Sequence, residues 1–309
     1  MYTLTTITTV SDSAEKSQRA IEAAFRELDR LEKMLNYYDN SSEIAAINSN
    51  AGIRPVKVSP ETMELIAYSI YVAQNTGGAF DITMGPVISL WDFKKRTMPD
   101  NNKLKARLDE IGYKKIVLDK KASTAFLRQK GMEINLGGIL KGYAAEKAAD
   151  MLKRNAIKSG IVAVAGDIQT FGTKPDSSLW NVGVQNPRQT GKDDGLLAVA
   201  DLKDKAISTA GDYEQFFIRD GIRYHHILST QTGYPVSECR SVTVIADKGI
   251  AADGFDTAIF ILGPKKGMEV MKKLGLDGII VDKMGNVTVT EGIRKNVRLI
   301  SELKSDWAQ

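Results

Sequence analysis

A chain of 309 residues can bury a sizeable core, and its 42 basic against 38 acidic side chains leave a net charge of only +4, which argues against a nucleic-acid surface while leaving room for a locally basic site. The one cysteine, Cys239, cannot form an internal disulfide, and two histidines, His225 and His226, are too few for a three-histidine or HExxH zinc site, so a metal would need oxygen ligands. No apolar run approaches the length of a membrane span, and Met1-Tyr2-Thr3-Leu4 offers no basic n-region, apolar h-region or lipobox cysteine: either the protein is cytosolic or a leader has been removed.

Residues 2–10, dense in Thr, Ile and Val, read as a strand, and Asp12 with Glu15 reads as a capping box for a helix. Ile21, Ala24, Phe25, Leu28, Leu31 and Leu35 recur on that helix at three- and four-residue steps, which marks one buried face. A turn-rich stretch, 36–43, carries Tyr37 and Tyr38, which either stack on an aromatic ligand or seal the core. Ser59 and Pro60 open a further helix that Gly77-Gly78 stop. The segment 78–87 has too much Gly and Pro for a regular element yet is apolar enough to lie against the body. Its Asp81 is either a turn-former bonding nearby N–H groups or a ligand-binding carboxylate. A helix is expected over 104–112, and strands over 115–118, 124–128 and 132–135.

That last strand leads into Ile134-Asn135-Leu136-Gly137-Gly138-Ile139-Leu140-Lys141-Gly142-Tyr143-Ala144-Ala145-Glu146, a glycine–lysine junction opening a helix with Ala144, Ala148, Met151 and Leu152 at helical spacing. A helix start leaves N–H groups unpaired, glycines let a ligand oxygen approach the backbone, and Lys141 adds a mobile charge, a combination suited to phosphate. The same pattern also fits a tight turn with a solvated lysine. It is neither a Walker loop nor a Rossmann fingerprint.

Beyond it, 160–165 reads as a strand ending in the turn Ala165-Gly166-Asp167, with further strands over 180–184, 196–201 and 206–208. Residues 208–214 read as a polar loop. A strand over 224–228 would send His225 and His226 to opposite faces. A turn over 229–235, a strand over 242–245, a helix over 250–262 and a hairpin of 278–282 with 287–290 complete the chain. On that last helix Asp253 and Thr257 share a face, as metal ligands or as an acid near a helix start beside a back-bonded hydroxyl. Strands bracket helices without a strict βαβ rhythm, so an α+β fold in one unit, 1–309, is expected.

Five segments, 42–48, 78–93, 136–146, 209–213 with 226–235, and 253–263, match one family in order and spacing. On them the chain resembles the ApbE family, the FAD:protein FMN transferases, over nearly its whole length. The resemblance implies a T-fold-related architecture of mixed or antiparallel sheets packed with helices. It also implies magnesium-dependent transfer of FMN from FAD onto a threonine hydroxyl of an acceptor flavoprotein, with AMP leaving. Gly138 through its carbonyl, Asp253 and Thr257 match the family's metal site, Lys141 the lysine that meets the pyrophosphate, and His226 the proposed base for the acceptor hydroxyl. Glu146 matches the acid that contacts the flavin nucleotide, and Tyr38, Phe80, Asp81 and Thr209 join Lys141 and Glu146 as FAD-binding positions.

The implied partners are FAD and an acceptor carrying a threonine flavinylation motif, and no nucleic acid. This chain has no such motif, so self-modification is not expected. The family suggests a periplasmic or extracytoplasmic setting, with a membrane tether only through a leader absent here; a cytoplasmic setting is the alternative. Two departures stand out: Ser229-Thr230 where the family usually has Asp-Pro, which bears on how the His226 loop is held, and Ala165-Gly166-Asp167 where it commonly has Gly-Gly-Asp. A magnesium-dependent FAD pyrophosphatase and a non-catalytic FAD carrier are the competing readings. Retention of Lys141, Asp253 and Thr257 argues against the carrier.

Overall fold

A computed structural model of the protein describes residues 3–188 and 195–300. Strand β1 (Thr5–Val10) leads to helix α1 (Ala14–Leu35), whose start is capped by Ser13 Oγ accepting from the Lys16 N–H at 3.2 Å. The expected Asp12–Glu15 box is thus displaced by one residue, because Ser13 is the residue whose side chain reaches the third N–H of the helix. Its buried stripe runs through Ala20, Ala24, Leu28, Leu31 and Leu35, whereas Phe25, expected on it, is 39% exposed. Ser42 caps α2 (Glu43–Ser49). After β2 (Val56–Lys57), Ser59 caps α3 (Pro60–Asn75), which ends before Gly77 and Gly78, both at positive φ, as expected.

The Gly/Pro-rich segment is buried and contains one short helical turn, α4 (Gly85–Ile88). Asp100 caps α5 (Asn101–Leu108), and β3 (Ile116–Asp119) pairs with β4 (Thr124–Leu127). The third strand expected here is absent: 132–135 is extended but makes only an isolated bridge, Met84 to Glu133. Its backbone groups are met elsewhere. The Asn48 side chain donates to Ile134 O (3.0 Å) and accepts from Ile134 N (2.8 Å), and Asn135 N donates to Ile82 O (2.7 Å). The glycine–lysine junction therefore follows a side-chain clamp rather than a strand end.

Helix α6 (Leu140–Arg154) is followed by the hairpin of β5 (Ser159–Val164) and β6 (Asp167–Phe171), then β7 (Trp180–Gln185), β8 (Leu196–Leu202) and β9 (Ala206–Gly211). The strand expected over 206–208 runs on to Gly211, so Thr209, expected in a loop, lies inside β9, where apolar neighbours Ala206, Ile207 and Ala210 bury the strand. Strand β10 (Phe216–Arg219) pairs with β11 (Ile222–His225), which stops short of the expected Leu228. β12 (Cys239–Ala246), α7 (Gly249–Leu274), β13 (Asp277–Asp282), β14 (Val287–Val289) and β15 (Val297–Leu299) follow. α7 is broken at Gly263 (φ 79°, ψ 173°) ahead of Pro264, so the segment expected over 250–262 is its first half.

The chain packs as two compact units, neither continuous in sequence. The first (1–31, 140–211, 238–309) is built on a seven-stranded sheet in the order β1-β5-β6-β9-β12-β13-β14, antiparallel throughout. α6 and α7 lie on this sheet, and a second sheet, β15-β8-β7, contributes Val182, Leu197 and Ala200 to a core shared with Ile207, Ile245 and Val281. With both faces covered, β12 is buried almost along its length rather than alternately. The second unit (32–139, 212–237) holds α2 to α5, the β2-β4-β3 sheet and the β10-β11 ribbon. Its core gathers Met84, Val87, Trp91, Leu104, Phe217 and Leu228. Among the described residues no helix is long and apolar enough to cross a membrane.

Candidate active site

The first unit concentrates its chemistry where the starts of α6 and α7 meet. Gly142 and Gly249 set that approach: a Cβ on Gly142 would lie 2.2 Å from Gly249 O, and one on Gly249 would lie 2.0 Å from Gly142 O. Only glycine at both positions allows it. At this distance each helix supplies an acid to the other. Asp253 Oδ2 accepts from Gly142 N at 2.8 Å, and a Glu146 carboxylate oxygen accepts from Ile250 N at 3.3 Å. Both acids thus meet N–H groups that a helix start leaves unpaired, and both sit where the helix dipole favours negative charge. The glycine after Lys141 therefore serves helix–helix contact.

Around Asp253 stand two more buried carboxylates, Asp167 at the start of β6 and Asp256 on α7, and the three groups offer oxygens within 4.8 Å of one another. Two carboxylates that close repel by about 3–4 kcal/mol at an effective dielectric near 20. Lys141 is ion-paired with Asp167 and lies 4.0 Å from Asp253 Oδ1. Burial works against its charge, but Asp253 and Asp167 more than offset this and raise its pKa, so it is an ammonium. Burial, then the Asp167 charge, push Asp253 up to about 7 despite Lys141 and the Gly142 N–H. Asp256 is pushed well above the usual carboxylate range by burial, then by Asp253 and Asp167.

Ser208 on β9 ties the cluster together. Register pairs Ile168 with Ile207, which brings Asp167 opposite Ser208. The Ser208 hydroxyl reaches Asp167 Oδ1 and, at 2.5 Å, Asp256 Oδ2. One hydroxyl proton cannot serve two carboxylates, so the trio is satisfied when one carboxyl keeps a proton of its own, and Asp256 is the one most strongly disposed to do so. Thr257 Oγ1 donates to Asp256 Oδ1 at 3.0 Å. Three carboxyl groups and hydroxyls against one ammonium form a hard, oxygen-rich and electron-rich donor set, which fits magnesium or another hard divalent cation.

Of the expected positions, Lys141, Glu146, Asp253 and Thr257 are thus gathered at this helix crossing, while Thr209 lies on β9 with its hydroxyl 2.8 Å from that of Thr243. Asp167, Ser208 and Asp256 join the site through the fold and not through any sequence motif. Asp256 is three residues from Asp253, a spacing that already places both on one helix face; Ser208 and Asp167 meet only through strand register.

The remaining positions belong to the second unit. Asp81 makes the bonds of a turn-former: Oδ1 accepts from Thr83 N (2.8 Å) and Thr83 Oγ1 (2.6 Å), and Oδ2 accepts from Tyr113 N (2.7 Å). Phe80 is buried, whereas Tyr38 is 83% exposed and meets Tyr37 edge-on at 5.1 Å. Gly138 lies in the turn two residues before α6. His226 follows β11, its N–H donating to Gln215 O at 3.1 Å, while His225 is buried with Nε2 2.7 Å from Val236 O. The loop after His226 is held without Asp-Pro. Ser229 Oγ accepts from Gln231 N and Thr232 N, and Thr230 Oγ1 donates to Gly78 O at 2.8 Å.

The ApbE family model matches residues 1–280. The FAD:protein FMN transferase of Treponema pallidum is 32% identical over 304 aligned residues, covering 93% of this chain and 83% of that protein. The enzyme of the same name from Escherichia coli K12 is 29% identical, over 88% and 79%. Among solved structures, the ApbE protein of Thermotoga maritima superposes with a TM-score of 0.86 at 31% identity over 96% of this chain and 99% of that one. The apo flavinyl transferase ApbE of Pseudomonas stutzeri gives 0.83 at 27% identity, over 94% and 92%. With the family model spanning nine-tenths of its length and relatives aligned nearly end to end, the chain belongs to the ApbE family.

Proposed function

We propose that the protein is an FAD:protein FMN transferase that moves FMN from FAD to a threonine hydroxyl of an acceptor flavoprotein, with magnesium required and AMP released. In that reaction the threonine oxygen forms a bond to the FMN phosphorus, the bond from that phosphorus to the AMP oxygen breaks, and the hydroxyl proton passes to a base. The observation that carries this reading is the pairing of the Lys141 ammonium with a buried carboxylate cluster at the start of two helices.

Phosphoryl transfer needs charge on the phosphate oxygens neutralised more than it needs covalent participation by the protein. Lys141 would supply a fixed positive charge to the pyrophosphate. Asp253 and Thr257, with the Gly138 carbonyl by family resemblance, would hold magnesium. When bound, the metal would supply further charge neutralisation on the phosphate oxygens. Glu146 and Thr209 are proposed to contact FAD, as are Tyr38 and Phe80; the bonds that Asp81 makes to Thr83 and Tyr113 favour a role in shaping the backbone around such a site. His226 is proposed as the base.

The test mixes the protein with FAD, magnesium and a threonine-bearing acceptor domain and weighs the acceptor by mass spectrometry. An FMN adduct that disappears with EDTA is expected. Free FMN and AMP without an adduct would instead mean a pyrophosphatase, and unchanged FAD a carrier. Lys141→Ala should lower the rate about ten- to a hundredfold through loss of one charged hydrogen bond, and Asp253→Ala should lower it further.

A further inference from the structure

The two carboxylates near Lys141 differ in what else they do. Asp253 has already committed Oδ2 to the Gly142 N–H, so Oδ1, 4.0 Å from the Lys141 ammonium, is the oxygen it can offer a cation. Asp167 is held more firmly. It opens β6, it is buried, and its Oδ1 is taken by the hydroxyl of Ser208, a buried residue on the neighbouring strand. With Oδ1 fixed, Oδ2 is aimed at Lys141, and that is where the ion pair forms.

We propose that Asp167 is a positioning residue that draws the Lys141 ammonium away from Asp253 and so leaves Asp253 Oδ1 open to a divalent cation. Of the other two carboxylates in the cluster, Asp256 has its oxygens engaged by the hydroxyls of Ser208 and Thr257, so a lysine released from Asp167 turns to Asp253 Oδ1, 4.0 Å away, the oxygen that the metal would need. With the Asp253 carboxylate buried, an ion pair to it competes directly with metal binding. Ser208 acts one step back, by keeping Asp167 from turning. The inference rests on the proposed metal role of Asp253, but it concerns binding, not turnover.

The test is isothermal titration of the full-length protein with Mn²⁺, without FAD or acceptor, on the wild type, Asp253→Asn, Asp167→Asn, Lys141→Met and the Asp167→Asn/Lys141→Met double variant. Loss of binding in Asp253→Asn establishes the metal reading on its own. Asp167→Asn is then expected to weaken binding roughly tenfold, the scale of one charge-assisted hydrogen bond. In the Lys141→Met background the same substitution should weaken it less than about threefold, because no ammonium remains to compete. Ser208→Ala, which keeps every charge, should weaken binding severalfold with Lys141 present and not with Met there; it serves also if Asp167→Asn does not fold. Equal weakening in both backgrounds would make Asp167 a direct ligand or a distant charge and overturn the positioning role, as would an Asp167→Asn protein that binds like the wild type. No binding by the wild type would overturn the metal reading and this inference together.

Discussion

At the scale of single residues, the decisive position is the one beside the lysine. In a bare sequence Gly142 looks like part of a phosphate loop, because Gly and Lys are the residues such loops use. In the folded chain it is the point where two helices touch. Alanine is ordinarily the better helix former, by about 1 kcal/mol. At Gly142 that gain is overwhelmed, since the new methyl would meet the Gly249 carbonyl at 2.2 Å and the Asp253 Cβ at 2.6 Å, and the carbonyl is backbone that cannot turn aside. Gly142→Ala is therefore expected to cost about 2–3 kcal/mol, as overpacked cores do, and to lengthen the Gly142 N to Asp253 bond. Urea denaturation would show the first effect and weakened metal binding the second. A variant as stable as the wild type would contradict this account.

At the scale of elements, the loop after His226 shows how one turn can be built in two ways. An Asp-Pro pair sets a turn through a carboxylate acceptor and a fixed φ. Here Ser229 supplies the acceptor, and Thr230 ties the loop to Gly78. Ser229→Asp should consequently leave stability within about 0.5 kcal/mol of the wild type, while Thr230→Val, which strands the Gly78 carbonyl, should cost about 1–2 kcal/mol. Thermal denaturation of the two variants side by side checks the contrast; equal losses would remove Thr230 from the role assigned to it.

The elements that sequence made legible share a cause. α1, α3 and the first half of α7 announce themselves by periodicity, a capping serine or a terminal glycine, all of which act within a few residues. The 132–135 segment reads as a strand because Met132, Glu133, Ile134 and Asn135 alternate apolar and polar, yet the Ile134 backbone is met by the Asn48 side chain, 86 residues away. Ser208 reads from sequence as the last residue of a strand over 206–208 and the first of a polar loop, and β9 instead runs on to Gly211. Its real partners depend on the β6–β9 register, which no local pattern encodes. Lys141 and Asp253 could be named from family resemblance, but the pull of Asp167 on Lys141 could not.

At the scale of the whole molecule, the buried acids make stability depend on pH in an unusual direction. Burial, then the Asp167 charge, push the Asp253 carboxyl from an ordinary 3.8 up to about 7 in the folded chain, so between these values the folded state binds more protons. Its contribution to stability is full below about pH 4 and is lost as pH rises through 7. Asp256 and Glu146, both raised first of all by burial, push in the same direction, whereas the acids with lowered values, such as Asp282, exert their effect at more acid pH. Protein stripped with EDTA should therefore resist urea better at pH 6 than at pH 8, by on the order of 1–3 kcal/mol, and magnesium should narrow the gap by compensating the charge. A metal-free protein that is more stable at pH 8 would refute this.

The helix crossing also has a history in time. Gly142 and Asp253 are 111 residues apart, and a ribosome delivers them in that order. Until α7 emerges, the start of α6 has no acid to receive its N–H groups, its glycine has nothing to pack on, and Lys141 can pair with Asp167 alone. Nascent chains shorter than about 250 residues consequently carry the lysine half of the site without the half that would grip a metal, so a prematurely terminated chain cannot assemble this helix crossing.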